Sequence, residues 1–217
     1  MRIRVTFAKQ GALRYTGHLD LHKIWERTAR RADLALTYSQ GFHPQPKMQL
    51  AAALPLGFSS RCELVDLRID GEVDLADLPA RLQAAVPPGL AILKVEAVDE
   101  ISPPLQTQVI SAEYEVTFFD EVDQEKLAGS LAAVLGAASL PRERRGKPYD
   151  LRPLIETLAC IEPDADGHTR LFMRLAAREG ATGRPEEVLA ALDVPYEGAR
   201  VERTRLIFKE WPSADSL

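Results

Sequence analysis

Cysteine is scarce in this chain: only Cys62 and Cys160 occur in 217 residues, almost a hundred positions apart. That scarcity argues against a disulfide framework, a structural zinc site or an iron–sulfur cluster built by this chain alone. Both cysteines read as reduced core residues, which suits the cytoplasm. Long apolar runs are missing too. Stretches such as residues 50–57 fall far short of the roughly 20 residues a spanning helix needs. The opening residues 1–7 alternate charged and apolar side chains and lack the apolar core of a signal peptide. Nowhere is there a nucleotide-binding glycine loop, a serine nucleophile elbow or a readable pair of catalytic carboxylates. No enzyme class is signalled.

What is present is a globular composition, 46% hydrophobic and 27% charged, enough for one large domain or two small ones. The net charge of −5 is unevenly spread. Residues 1–47 hold nine Lys/Arg against three Asp/Glu, and residues 141–152 hold five against two, which leaves −14 for the remainder. Such asymmetry is a hint of an anionic partner meeting one face.

Periodicity gives the order of elements. Residues 2–9 alternate as a strand. Residues 18–33 form a helix with Leu21, Ile24, Trp25, Thr28 and Ala32 inward. Residues 34–38, 48–54 and 62–69 are strand candidates. A helix over 75–85, opened by Asp74, is stopped by Pro87-Pro88-Gly89 and followed by a strand over 90–98. After the linker Ser102-Pro103-Pro104 the order recurs: strand 111–119, helix 124–135, a basic turn 142–148, an ambiguous segment 151–161, strand 168–177, helix 185–192 and strand 200–209. Residues 211–217 read as a frayed tail. The expected fold is α+β, two tandem ferredoxin-like βαββαβ units with antiparallel sheets, over residues 1–101 and 107–210.

Four segments carry candidate chemistry. His18 and His22 lie four apart on one helix face, half of a metal site but not a complete one. His18 and Asp20 at the helix start are also weak acid–base candidates, and no metal ligand set is assigned. Lys23, Arg27, Arg30 and Arg31, with Arg14 upstream, form a basic stripe that suits phosphates, although a solvated helix face would carry the same charges. Ser39, Gln40, Gly41, Phe42, His43 and Lys47, with Pro44 and Pro46 between them, combine a rigid turn with an aromatic ring, an imidazole, amides and an ammonium. That inventory suits stacking and hydrogen bonding to a base or phosphate. Phe42 taken alone reads as core. Arg144, Arg145, Lys147, Asp150 and Arg152 sit in a basic loop able to close over an anionic ligand.

The segments Tyr15-Thr16-Gly17-His18-Leu19-Asp20, residues 38–47 and Leu54-Pro55-Leu56-Gly57 resemble, in that order, the radical-SAM-associated (radical-SAM-linked) family of unknown function. So do residues 147–155, 184–189 and Arg203-Thr204. The typical loop of that family has Asn at the place of His43 and His at the place of Gln45, which moves the imidazole two positions. The resemblance implies a partner radical SAM protein carrying the iron–sulfur cluster, S-adenosylmethionine and, in cobalamin-type members, cobalamin. This chain, without a three-cysteine motif, resembles the stand-alone form and has no cofactor of its own. The tandem order is also similar to CRISPR repeat-processing endoribonucleases, an analogy of fold alone.

Three readings follow. The first is an RNA-binding accessory protein, not itself catalytic, working with a radical SAM enzyme in tRNA or rRNA modification. The second is an endoribonuclease-like or other enzyme using His18 or His43. The third is an interaction module that docks the radical SAM partner without nucleic acid. None involves a membrane.

Overall fold

The computed structural model describes residues 1–194 and 197–209, and the tail expected over 211–217 lies outside them. The chain is mixed α+β and divides into two compact units, Met1–Val109 and Ile110–Leu217. Five α-helices occur among the described residues, and none is long and apolar enough to cross a membrane.

The first unit contains β1 (Arg2–Lys9), a 3-10 turn (Gly11–Tyr15), α1 (His18–Arg31), β2 (Met48–Leu50), β3 (Ser59–Arg68), α2 (Leu78–Ala85), β4 (Leu90–Val98) and α3 (Leu105–Gln108). Its strands lie in the order β4-β1-β3-β2, each neighbour antiparallel. Alternation on β1 places Ile3, Val5 and Phe7 in the core, where Leu21, Trp25, Leu78 and Leu82 of the two longer helices are also buried. Phe7 and Trp25 meet edge-to-face at 4.8 Å.

The other face of β1 carries charge and is still buried. Arg2 and Asp66 are 4% and 3% exposed, and both Arg2 and Arg4 donate to the Asp66 carboxylate. Arg2 also donates to the carbonyls of Ser102 and Pro103, at 2.7 and 3.0 Å. The Ser-Pro-Pro segment expected to be a linker is thereby tied to β1, and α3 follows it directly.

The second unit contains β5 (Val109–Phe118), α4 (Gln124–Gly136), β6 (Pro141–Arg144), β7 (Lys147–Asp150), a 3-10 turn (Arg152–Leu154), β8 (Ile155–Ile161), β9 (Arg170–Arg178), β10 (Ala181–Thr182), α5 (Pro185–Ala191) and β11 (Ala199–Phe208). Its main strands lie in the order β11-β5-β9-β8. Asp123 caps α4 by accepting from the amides of Glu125 and Lys126.

Several expectations change. Residues 34–38 form no strand, only isolated bridges at Leu36↔Ile69 and Tyr38↔Pro46. Asp33, at φ 55°, turns the chain out of α1 before a ladder can start. The strand expected over 48–54 ends at Leu50. Asp74 does not cap α2, since its carboxylate accepts from Ala76 instead. The basic turn is a hairpin, β6–β7, closed by Arg145 and Gly146 at φ 52° and 75°. Two positive φ values suit the twist of a two-residue hairpin loop, and arginine is an unusual occupant of the first. Neither cysteine is core: Cys62 is half-buried and Cys160 is exposed.

The buried Arg2–Asp66–Arg4 group yields a stability prediction. Asp66→Ala leaves two cations without their counter-charge, one of them fully buried, and should lower the unfolding free energy by about 3–5 kcal/mol in urea denaturation.

Candidate binding sites

The first site is built around the start of α1. Lys9, buried at 1% exposure, donates from Nζ to the Thr16 carbonyl at 3.0 Å. Thr16 and the capping Gly17 are thus held at the end of β1, and α1 begins at His18. The Gly57 amide donates to the Arg14 carbonyl at 2.9 Å, which brings the Leu54-Pro55-Leu56-Gly57 turn against the same junction. Gly57 has φ +87°, where a side chain would be strained. Tyr15, Leu19 and Leu56 remain exposed around this junction.

His18 and His22 present their rings to a pocket of about 360 Å³, walled by Met48, Gln49, Leu50, Ala51–Ala53 and Gln106. The ring centroids are 5.0 Å apart. Burial pushes both imidazoles below the ordinary histidine value. For His18 the nearby Glu63 carboxylate partly offsets this, whereas for His22 the positive charge of His18 adds to it. Asp20 stands apart, paired on the surface with Lys23 at 3.1 Å.

The loop over residues 39–47 is pinned at its base. The Ser39 amide donates to the Gln45 carbonyl at 2.8 Å, the Gln45 amide donates to Ser39 Oγ at 3.0 Å, and the Lys47 amide donates to the Thr37 carbonyl at 2.8 Å. Tyr38 Oη donates to Glu26 on α1. Gly41, at φ 138°, turns the tip, and Gln40 and His43 lie beside it in solvent. Phe42 is 101% exposed, so the expectation of a core phenylalanine is corrected. Lys47 lines a separate pocket of about 340 Å³ with Arg2, Arg68 and Gln49. Met48 and Gln49 of β2 border this pocket and the histidine pocket alike.

The basic stripe is less free than its spacing promised. Lys23 pairs with Asp20, Arg30 lies 3.6 Å from Glu26, and Arg31 donates to the Ala85 carbonyl at 2.8 Å. Arg14 stacks over Tyr15 at 4.8 Å. Of these five, Arg27 alone has no ion pair, side-chain hydrogen bond or ring contact among the described residues.

The second site lies in the other unit, at the β6–β7 hairpin. A pocket of about 420 Å³ is lined by Arg144, Arg145, Lys147, Tyr149, Thr182 and Arg184, among others. Arg144 and Lys147 face each other across the hairpin, a like-charge pairing that costs stability unless compensated. Glu187 compensates part of it, binding Arg144 at 3.0 Å and accepting from Tyr149 Oη. Arg145 and Lys147 have no ion pair among the described residues. Asp150 and Arg152 serve the local backbone. Asp150 accepts from the amides of Leu140 and Arg152, which holds its carboxyl below the usual carboxylate range. Arg152 donates to the carbonyls of Leu135 and Ile155.

Sequence reasoning missed Gln49, Gln106, Tyr149, Thr182, Arg184 and Glu187 as site residues. For Tyr149 and the segment from Arg184 to Glu187 a signal existed, because both fall in motifs already singled out. Thr182 and the glutamines have no local signature, since only tertiary contact brings them to a pocket.

A family model described as "Uncharacterized protein conserved in bacteria (DUF2344)" matches residues 2–185. The chain belongs to this family. Two pairs of the motif segments meet directly: the Leu54–Gly57 turn bonds to the junction before α1 through Gly57 and Arg14, and the hairpin bonds to α5 through Tyr149 and Glu187. No curated protein matches the sequence. Among solved structures, a chain of a Cbf5–Nop10–Gar1 complex is similar at 13% identity and a TM-score of 0.49, over 94% of this chain and 48% of that one. A chain of an H/ACA RNP bound to a substrate RNA containing 2′-deoxyuridine has 13% identity and a TM-score of 0.46, over 94% and 47%. This chain therefore spans about half the length of either. The acetolactate synthase small subunit from Thermotoga maritima has 11% identity and a TM-score of 0.27, over 98% of both chains. These are partial likenesses of backbone path.

The histidine pair gives a pH prediction. Its folded-state values lie below the ordinary 6.5, so the unfolded chain binds more protons as pH falls past that value. The stability contributed by the neutral rings is complete above 6.5 and is lost as pH drops through the folded values. Melting temperature should fall between about pH 7.5 and about pH 5.5, and fall less in the His18→Gln/His22→Gln variant.

Proposed function

We propose that this DUF2344 chain is an RNA-binding accessory protein that works beside a radical SAM enzyme in modifying tRNA or rRNA. The observation that carries the reading is Phe42. A phenylalanine ring wholly in water is unfavourable for a folded chain, and here a loop with pinned ends and a glycine turn holds it there. Beside it stand the His43 imidazole and, at the loop base, the Lys47 ammonium. An exposed ring flanked by polar and cationic groups is the equipment for stacking an unpaired base while a phosphate is held nearby. Arg27 in the same unit, and Arg145 and Lys147 at the separate hairpin site of the other unit, are cations without internal partners and suit phosphates of RNA.

The radical SAM partner comes from the motif resemblance, and that enzyme would carry the cluster and S-adenosylmethionine. The strand orders β4-β1-β3-β2 and β11-β5-β9-β8 support reading the units as tandem ferredoxin-like domains, each with its last strand beside its first. The candidate acid–base groups favour binding over catalysis. Asp20 is paired with Lys23 and makes no bond to His18 among the described residues, and His43 belongs to a different loop. A second reading, a docking module for the same enzyme that touches no RNA, draws on the exposed Tyr15, Leu19 and Leu56.

Fluorescence anisotropy with labelled single-stranded RNA tests the proposal. Phe42→Ala should weaken binding roughly 5- to 100-fold, the worth of one stacked base. Arg145→Glu/Lys147→Glu should lower the affinity and make the salt dependence shallower by about two charges. Wild-type protein without salt-dependent binding sinks the reading, and a complex with the radical SAM enzyme that excludes RNA selects the docking module.

A further inference from the structure

The histidine pocket in the first unit has a composition that RNA binding does not account for. His18 and His22 are successive turns of one face of α1, a 14-residue helix, and both line the pocket shared with β2. Among the described residues, neither ring makes a hydrogen bond. Their ring nitrogens have no protein partner and are open to pocket or solvent. Histidines kept for structure normally give one ring nitrogen to a carbonyl or carboxylate, which fixes the tautomer. Two adjacent rings that both lack such a partner have donor atoms to spare.

We propose that His18 and His22 form a two-histidine site for a divalent cation of the zinc class, open towards the pocket walled by β2, Ala51–Ala53 and Gln106. Two imidazoles at i and i+4 on a helix are a recurrent chelating pair. With metal–nitrogen bonds of about 2.0–2.1 Å and a near-tetrahedral angle, two imidazoles on one ion have ring centroids roughly 5 Å apart. The observed separation is 5.0 Å, which matches that geometry. Only two ligands come from the pair, which leaves positions for water or an oxygen of a bound molecule in the adjoining 360 Å³. An open position is the arrangement of a metal that meets a substrate, whereas structural zinc sites are closed by four protein ligands.

A different cluster, Asp164, Asp166 and His168 at the β8–β9 turn, brings three ligand atoms within 4.8 Å of one another. There the Asp164 carboxylate already accepts from the amides of Asp166 and His168 and contacts the His168 ring. That cluster closes its own turn, and it serves as the competing outcome of the test.

The full chain, stripped with chelator, is titrated with Co²⁺ and then Zn²⁺, followed by visible absorption and calorimetry. The expected result is one Co²⁺ per chain, displaced by Zn²⁺. Stoichiometric binding should be lost in His18→Ala or His22→Ala, since a single imidazole does not chelate, and unchanged in Asp164→Asn/His168→Ala. Circular dichroism checks each fold, and His18→Gln and His22→Gln replace the alanine variants if those do not fold. Absence of stoichiometric binding overturns the proposal, as does binding that survives loss of both histidines or that disappears with Asp164→Asn/His168→Ala. No RNA enters the readout, so this result is independent of the RNA-binding reading.

Discussion

Arg2 and Arg4 reach from β1 to one carboxylate, Asp66 on β3, and Arg2 then reaches on to the carbonyls of Ser102 and Pro103. Arg4 and Asp66 are direct register partners, so the ionic contact and the ladder specify the same alignment. A slip of one residue would expose Ile3, Val5 and Phe7 and break the charge match together. The remaining geometry of the first unit follows from this alignment. Residues 102–103, tied to β1, lead into α3, whose Leu105 amide donates to the Gln49 side chain of β2 at 3.0 Å. Gln49 and Gln106 thereby come to stand in the walls around His18 and His22. The Asp66 carboxylate organises the unit because it is buried and shared, and a surface ion pair would contribute little.

A division of labour among charges runs through both units. Arg2, Arg4, Arg31, Arg144 and Arg152 are engaged by carbonyls or carboxylates and act as struts. Their planar, multi-donor guanidinium groups suit that role. Arg27, Lys47, Arg145 and Lys147 are the cations left for an external anion among those considered as ligands. The hairpin shows both roles within two residues. Arg144 is held by Glu187 and stacked on Tyr149, while Arg145 is carried out at a positive φ by the turn. The segments around Tyr149 and Glu187 therefore include residues that shape the pocket as well as residues that face it.

Much of the chain was legible before any coordinates. Alternation marked β1, β4, β9 and β11 to within a residue or two, and the 3.6-residue period marked α1 and its buried Leu21, Trp25 and Thr28. Gly41, in a loop with Pro44 and Pro46, announced a turn with a positive φ. The errors share a physical cause. Residues 34–38 have strand-like side chains, yet a strand needs a partner ladder, and none is offered beyond isolated bridges. The β6–β7 hairpin lacks the Asn-Gly signature because Arg145 takes the left-handed position. Cys160, and Phe42 when taken apart from its loop, read as core on hydrophobicity alone, which does not say which side of an element faces water.

The sequence by itself determined the residue types at the candidate sites and the local geometry that presents them: a histidine pair one helical turn apart, a proline-stiffened loop with an aromatic ring, and a run of basic residues. These are short-range properties, set by backbone preference and side-chain period. Only the tertiary structure decided which charges are consumed, that Phe42 stands in solvent, and that β2 and Gln106 enclose a pocket beside His18 and His22. Those outcomes depend on groups far apart in the chain competing for the same donors, acceptors and buried volume. The bis-histidine pocket shows the difference: spacing made it a possible half-site, and the absence of any ring hydrogen bond among the described residues left its nitrogens free for a ligand.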